Sequence, residues 1–247
     1  MKIGAIFSDY DGTLAPDDVA LEASEVPKEI GEPLLRLGSS VPVAIVTSKD
    51  FGFVRPRTPF ARAWACVSGL EIVLSDGRSF AAPQTGSRLR EGLEYVKRRN
   101  EFGLAVELKR SINKGLLAFS VDWRGKAAPP AEFIAAAVAD LSDMGLTVAH
   151  DPTRPFLDVF GRSPDKGGAV REMKRLLDVT GNVLFIGDSP ADNSAFGEAD
   201  LAICVDHGQS LEGLECSYAL RPEDLGQFFS SLEDDQLSLN LSTLARK

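Results

Sequence analysis

The sequence predicts an α/β protein in which a parallel-sheet core is interrupted by an inserted α+β module. Three observations carry that expectation. Near both ends of the 247-residue chain, short apolar runs alternate with helix-like segments, the rhythm of parallel strand–helix–strand units. From about 76 to 160 that rhythm gives way to a hairpin, a charged helix and strand-like runs separated by turn residues, the texture of an open antiparallel sheet. The chemically loaded residues fall just beyond strands or at a helix start, where an open parallel sheet gathers its ligands. The expected division is a core of 1–75 and 161–247 with the inserted module at 76–160.

The elements follow in order. Ile3-Gly4-Ala5-Ile6-Phe7 is a nearly unbroken apolar run, too short for an ordinary helix, and reads as a strand buried on both faces. An acidic, proline-punctuated stretch from Asp17 to Glu32 leads into a helix that closes at Gly38. Val41 to Val46 is a second buried strand, with Pro42 near its start where it does least harm. Phe51 to Phe60 holds too many breakers for a long helix. Ala63 to Val67 is a third strand. Glu71 to Leu74 and Arg78 to Phe80 form a hairpin around Ser75-Asp76-Gly77. A charged helix covers Arg88 to Arg99, two strands cover Leu104 to Leu108 and Gly115 to Trp123, and Pro129-Pro130 opens a helix running to Met144. Strands at Leu146 to Ala149 and Phe156 to Phe160 complete the module. A helix from Asp165 to Leu177 and strands at Asn182 to Ile186 and Leu201 to Val205 resume the core. In the tail, the alternation of Leu237, Leu239 and Leu241 fits an edge strand or a frayed helix.

Composition narrows the field. The chain carries 27 basic and 36 acidic residues, net −9, which argues against nucleic acid, since phosphate backbones attract basic patches. Cys66, Cys204 and Cys216 form no metal-type pair and no even disulfide set, so a reducing compartment fits and each reads as a small core residue. No apolar run approaches the ~18–20 residues of a membrane span, and no leader with a cleavage site opens the chain. The expectation is a cytoplasmic protein with neither a membrane nor a nucleic-acid partner.

The first strand ends in Asp9, Tyr10, Asp11, Gly12 and Thr13. In an extended segment Asp9 and Asp11 point the same way. Two carboxylates about 4 Å apart repel by roughly 4 kcal/mol at an effective dielectric near 20. A bound cation or a held proton must offset that, unless the string is merely a solvated Asp-Gly turn. Three further points fall at equivalent places: Thr47 with Ser48, Lys166, and Asp188 with Asp192. Singly, each has an ordinary structural explanation as a cap, a loop residue or a surface pair. Together they make an oxygen-rich set with one lysine and no histidine or cysteine. Such a set favours Mg²⁺. An aspartate can attack phosphorus directly, a metal relieves the repulsion between carboxylate and phosphate, and Lys166 and Thr47 are suited to the remaining phosphoryl oxygens. Asp11 is then available to protonate the leaving alkoxide and to deprotonate water.

Phe7-Ser8-Asp9-Tyr10-Asp11-Gly12-Thr13-Leu14, Val46-Thr47, Asp165-Lys166-Gly167 and Gly187-Asp188-Ser189-Pro190-Ala191-Asp192 resemble the four motifs of the haloacid dehalogenase (HAD) superfamily of phosphatases. The resemblance spans essentially the whole chain. It implies a Rossmann-like core with an inserted α+β cap of the C2B type, as in subclass IIB. It also implies Asp9 as nucleophile and Asp11 as general acid/base and, through its carbonyl, a Mg²⁺ ligand. Thr47 and Lys166 then meet the phosphate with Thr13 and Ser48 nearby, Asp188 binds Mg²⁺, and Asp192 is a ligand or supports one.

Within that superfamily the sequence is most similar to trehalose-6-phosphate phosphatases. Asp9 to Pro16 is nearly their opening motif, Asn113-Lys114-Gly115 followed by a strand to Trp123-Arg124 resembles their cap, and Asp158 stands where they carry a sugar-binding Glu. This implies Glu107, Lys114, Arg124 and Asp158 as substrate contacts. Thr47-Ser48-Lys49 departs from their usual Ser-Gly-Arg, and Asp122 and Asp158 replace a cap His and Glu. The alternatives are a phosphatase of another small ester, such as mannosyl- or glucosyl-3-phosphoglycerate or phosphoglycolate, and a non-catalytic sugar-phosphate-binding regulator.

Overall fold

The structure is a computed structural model that describes residues 1–247 other than 18, 20–22, 82–85, 153 and 209. Part of the acidic stretch before the first helix therefore lies outside the described residues. The chain divides into two compact units, Met1–Phe80 with Asp165–Lys247, and Ala81–Pro164.

The first unit contains, in chain order, β1 (Ile3–Ser8), α1 (Lys28–Leu37), β2 (Val43–Val46), α2 (Phe51–Arg57), β3 (Ala63–Cys66), β4 (Glu71–Leu74) and β5 (Ser79–Ala81, whose last residue crosses into the second unit). The second unit supplies α3 (Gly86–Arg99), β6 (Ala105–Arg110), β7 (Leu116–Asp122), α4 (Ala131–Asp143), β8 (Thr147–His150) and β9 (Phe156–Phe160). The first unit resumes with α5 (Lys166–Leu176), β10 (Asn182–Gly187), α6 (Asn193–Phe196), β11 (Leu201–Val205), β12 (Tyr218–Leu220), α7 (Leu225–Asp234) and β13 (Ala245–Arg246).

Among the described residues the large sheet runs β13-β12-β11-β10-β1-β2-β3-β4-β5. β1 is parallel to both neighbours, with Phe7 opposite Phe185 of β10 and Ala44 of β2. Both of its faces are covered, as the apolar run predicts: Ala5 and Phe7 join a cluster with Val170, Met173, Phe185 and Phe196, while Ile6 alternates to the opposite face and is equally buried. The hairpin of β4 and β5 continues this sheet beyond β3, to which β4 is antiparallel. α2 is one short helix capped by Asp50, whose carboxylate accepts the Phe53 N–H at 3.0 Å, and Pro56 sits in its last turn. Cys66, Cys204 and Cys216 are buried, unbridged core residues. Burial pushes the Cys204 thiol up to about 12.

After β11 the sequence showed neither β12 nor α7. β12 has only three residues, and α7 follows a 3₁₀ turn at Pro222–Asp224. The tail resolves into neither simple alternative. Ser238 bridges Lys2, Leu241–Thr243 form a 3₁₀ turn, and β13 pairs antiparallel with β12.

The second unit is an antiparallel sheet in the order β6-β7-β9-β8. Side-chain alternation gives it two contrasting faces. Phe119, Val121, Leu157 and Val159 pack with Leu89, Leu93 and Val96 of α3 and Leu141 of α4. The other parity carries polar residues: Glu107 is opposite Ser120, and Ser120 opposite Asp158.

Candidate active site

The site in the first unit is built where β1, β2 and β10 end and α5 begins. Asp9 follows β1 directly and its N–H bonds the Ile186 carbonyl at 2.9 Å, which carries the β1–β10 ladder one residue further. Thr47 follows β2 and is fully buried. Its hydroxyl accepts the Lys49 N–H at 3.1 Å, so it caps the loop as well as ending the strand. Ser48 beside it is half-buried. Lys166 opens α5 behind Asp165, which caps that helix by accepting the Gly168 N–H at 2.7 Å.

After Ser8 the chain stops being extended, and Asp9 and Asp11 do not share one environment. Tyr10 between them is buried and donates to the Ser24 carbonyl at 2.5 Å. Gly12 takes φ +72°, and a Cβ on it would lie 2.5 Å from Asp188 Oδ2, so only glycine lets this turn approach the fourth motif. Thr13 reaches the same carboxylate with its hydroxyl, 3.4 Å from Oδ1. Asp11 instead lies beside the buried Lys49 ammonium, 3.6 Å away.

Asp9, Asp188 and Asp192 each offer a carboxylate oxygen within 4.8 Å of the others. Lys166 Nζ stands 3.1 Å from Asp9 and 2.7 Å from Asp192. Asp192 is fully buried, and its other oxygen accepts from the N–H groups of Asp188 and Ser189 at 3.2 Å each and from the Ser189 hydroxyl at 3.3 Å. A Cβ on Gly187 would lie 2.6 Å from the Asp192 carboxyl carbon, so the loop closes over that side chain only because residue 187 has none. With both oxygens engaged by protein donors, Asp192 is placed to hold Lys166 and the loop that carries Asp188.

The electrostatics follow from this crowding. Burial holds the Asp9 carboxyl well above the usual carboxylate range, Lys166 opposes that, and Asp192, Asp188 and Asp11 add to it. Burial lowers the affinity of Lys166 for its proton, but Asp192 and Asp9 outweigh it, and the net shift is upward. The ammonium is therefore a fixed charge. Counted formally, four carboxylates and the ammonium groups of Lys166 and Lys49 leave these six side chains two positive charges short of neutrality. A divalent cation fits that deficit and the all-oxygen donor set, with Asp9 and Asp188 the carboxylates placed to hold it.

Three of the four residues expected to contact substrate outside the phosphate site lie in or beside the second unit's sheet, and the fourth in a turn. Asp158 is half-buried, takes the buried Lys109 ammonium at 2.7 Å and accepts from the Ser120 hydroxyl. Arg124 is exposed and forked onto its neighbour, its N–H and Nε both 2.7 Å from Asp122. Glu107 is half-buried on the polar parity of β6. Lys114 is exposed, with φ +64°, in the turn joining β6 to β7. Sequence reasoning missed Lys49, Lys109 and His207. Lys49 was signalled by its place directly after Thr47-Ser48, and Lys109 by its parity with Glu107. His207, whose Nε2 lies 2.6 Å from the Gly12 carbonyl, carries no local signal.

No protein-family model matches the chain. Two curated proteins of Mycobacterium tuberculosis, each described as an uncharacterized glycosyl hydrolase, are 30% identical over 120 residues, covering 42% of this chain. The match spans only 9% of those proteins' own length. Solved structures are similar over nearly the whole chain. A trehalose-6-phosphate phosphatase related protein superposes with a TM-score of 0.74 at 17% identity, covering 94% of this chain and 98% of its own. The C-terminal domain of Candida albicans trehalose-6-phosphate phosphatase gives 0.76 at 15% identity over 94% and 92%. The HAD subclass IIB sugar phosphatase BT4131 gives 0.66 at 13% identity over 95% and 99%. The parallel sheet, the separate antiparallel sheet and these likenesses together establish that the chain has the fold of the haloacid dehalogenase superfamily phosphatases.

Proposed function

We propose that this protein is a Mg²⁺-dependent phosphomonoesterase that hydrolyses a phosphorylated sugar through an aspartyl-phosphate on Asp9. The observation that carries the reading is the buried Lys166 bridging Asp9 and Asp192 beside Asp188. Lysine and carboxylates packed so tightly are costly as structure alone, and a cation held by the carboxylates together with the Lys166 ammonium suits a phosphoryl group.

In this mechanism the Asp9 carboxylate attacks phosphorus, the bond from phosphorus to the sugar oxygen breaks, and Asp11 gives its proton to the leaving alkoxide. Asp11, now a carboxylate, takes a proton from water as that water attacks the phosphoaspartate, which releases phosphate and restores Asp9. Lys166 and Thr47 hold phosphoryl oxygens, and Lys49 beside Asp11 orients the acid/base carboxylate. Bound Mg²⁺ supplies charge neutralisation between the attacking carboxylate and the phosphoryl oxygens. Asp9 and Asp188 hold that ion, and Asp192 keeps Lys166 aimed at Asp9.

A sugar is the class of alcohol the second unit's polar sheet face suits. Glu107 and Asp158 are half-buried carboxylates that suit neighbouring hydroxyls, with the buried Lys109 fixing Asp158. Trehalose 6-phosphate is the first candidate, on the motif resemblance and on the likeness to two structures bearing that enzyme's name. The test is phosphate release from a panel of esters in Mg²⁺: trehalose 6-phosphate, mannosyl-3-phosphoglycerate and phosphoglycolate. The expected result is fastest turnover of trehalose 6-phosphate, abolished by EDTA and by Asp9→Asn. Turnover surviving Asp9→Asn overturns the mechanism, and fast turnover of a carboxylated ester alone overturns the substrate.

A further inference from the structure

His207 lies 195 residues from Gly12 in the chain, yet its Nε2 is 2.6 Å from the Gly12 carbonyl oxygen. A carbonyl only accepts, so Nε2 carries the proton and donates. The histidine stands two residues beyond β11, on a loop that is itself braced. The Asp206 N–H bonds the Leu220 carbonyl at 2.7 Å, and the Asp206 carboxylate accepts the Gly208 N–H at 2.8 Å. A ring on a braced loop is a fixed point from which a distant backbone group can be held.

Gly12 is where such a hold matters. Lacking a side chain, it is the freest hinge of the turn that follows Asp9 and Asp11. A trans peptide is planar, with its carbonyl and the next N–H pointing in opposite directions. Fixing the Gly12 carbonyl therefore fixes the plane that leads into Thr13, whose hydroxyl reaches Asp188. The turn's backbone–backbone hydrogen bonds are internal: the Leu14 and Ala15 N–H groups bond the Tyr10 carbonyl at 3.0 and 2.9 Å, and the Gly12 N–H bonds the Ala15 carbonyl at 2.8 Å. His207 is a restraint from outside the turn.

We propose that His207 is a positioning residue: its Nε2–H clamps the Gly12 carbonyl and so holds the turn that presents Asp11 and Thr13. The catalytic consequence rests on the phosphatase reading above; the clamp itself does not. Glutamine carries an amide N–H donor at a comparable reach, and alanine carries none. Amide hydrogen exchange of the segment 10–15 is compared in the native protein, His207→Ala and His207→Gln, together with kcat and KM for p-nitrophenyl phosphate in Mg²⁺. The clamp predicts exchange of the Leu14 and Ala15 amides about tenfold faster in His207→Ala and close to native in His207→Gln. With it, kcat falls about tenfold in His207→Ala and is largely restored in His207→Gln, while KM stays within about twofold, the pattern of a displaced catalytic group. Unchanged exchange in His207→Ala overturns the clamp. Glutamine as impaired as alanine shows that the donor is not what matters and overturns it equally. Faster exchange with unchanged kcat overturns the catalytic half. If the native protein hydrolyses no ester, the phosphatase reading falls and the exchange measurement still decides the clamp.

Discussion

The Lys166 ammonium lies 3.1 Å from the Asp9 carboxylate with both side chains less than a tenth exposed. Removing one partner of such a pair strands the other in a poorly solvated place. Lys166→Met leaves Asp192 without its 2.7 Å counter-charge as well. The expected cost is about 3 kcal/mol of folding stability, measured by urea unfolding in EDTA, and phosphate release is lost. A native urea midpoint in Lys166→Met contradicts this account of the site.

The pH dependence follows from Asp9. Its carboxyl is held well above the usual range by burial and by neighbouring carboxylates. The folded state thus binds a proton that the unfolded chain has already lost at the same pH. Stability from this group is complete below the ordinary Asp pKa and declines as pH rises through the raised one. In EDTA the protein is expected to lose stability over that window, and Asp9→Asn to flatten the decline. Equal slopes for the two proteins argue that the burden lies on another group.

The second unit contains a buried pair of its own, Lys109 and Asp158 at 2.7 Å with Ser120 as a third partner. Lys109→Met or Asp158→Leu alone is expected to destabilise by about 3–5 kcal/mol, and the two together to recover most of that loss. Trp123 is buried in this unit's core and is one of two tryptophans. Its fluorescence in a Trp64→Phe background reports this unit's unfolding. Additive losses in the double variant show that the pair is not coupled.

Much of the architecture was legible because it is written in local patterns. The run from Ile3 to Phe7 announced a strand covered on both faces, and Ala5, Ile6 and Phe7 are wholly buried. Pro130 announced the start of α4, and it is that helix's N-cap. The acidic cluster was legible because strand ends share an edge, whatever their separation in sequence. The remainder depends on distance rather than pattern. Nothing in Asp-His-Gly at 206–208 says that its imidazole meets Gly12. Nothing in Asp11 says that it turns toward Lys49 rather than toward Asp9. β12 and β13 are too short to show a period, and their pairing comes from the sheet edge they extend.

The placement of β1 has a consequence for synthesis. One of its edges is completed by β2, only 35 residues onward from Ser8 to Val43, but the other waits for β10, which begins at Asn182. At the usual pace of translation that interval is roughly ten to forty seconds. Throughout it, an uncharged, strand-forming segment ending in the aspartate proposed as nucleophile has an open edge. The strand that leads into the proposed nucleophile is therefore also a point at which the nascent chain is open to mispairing.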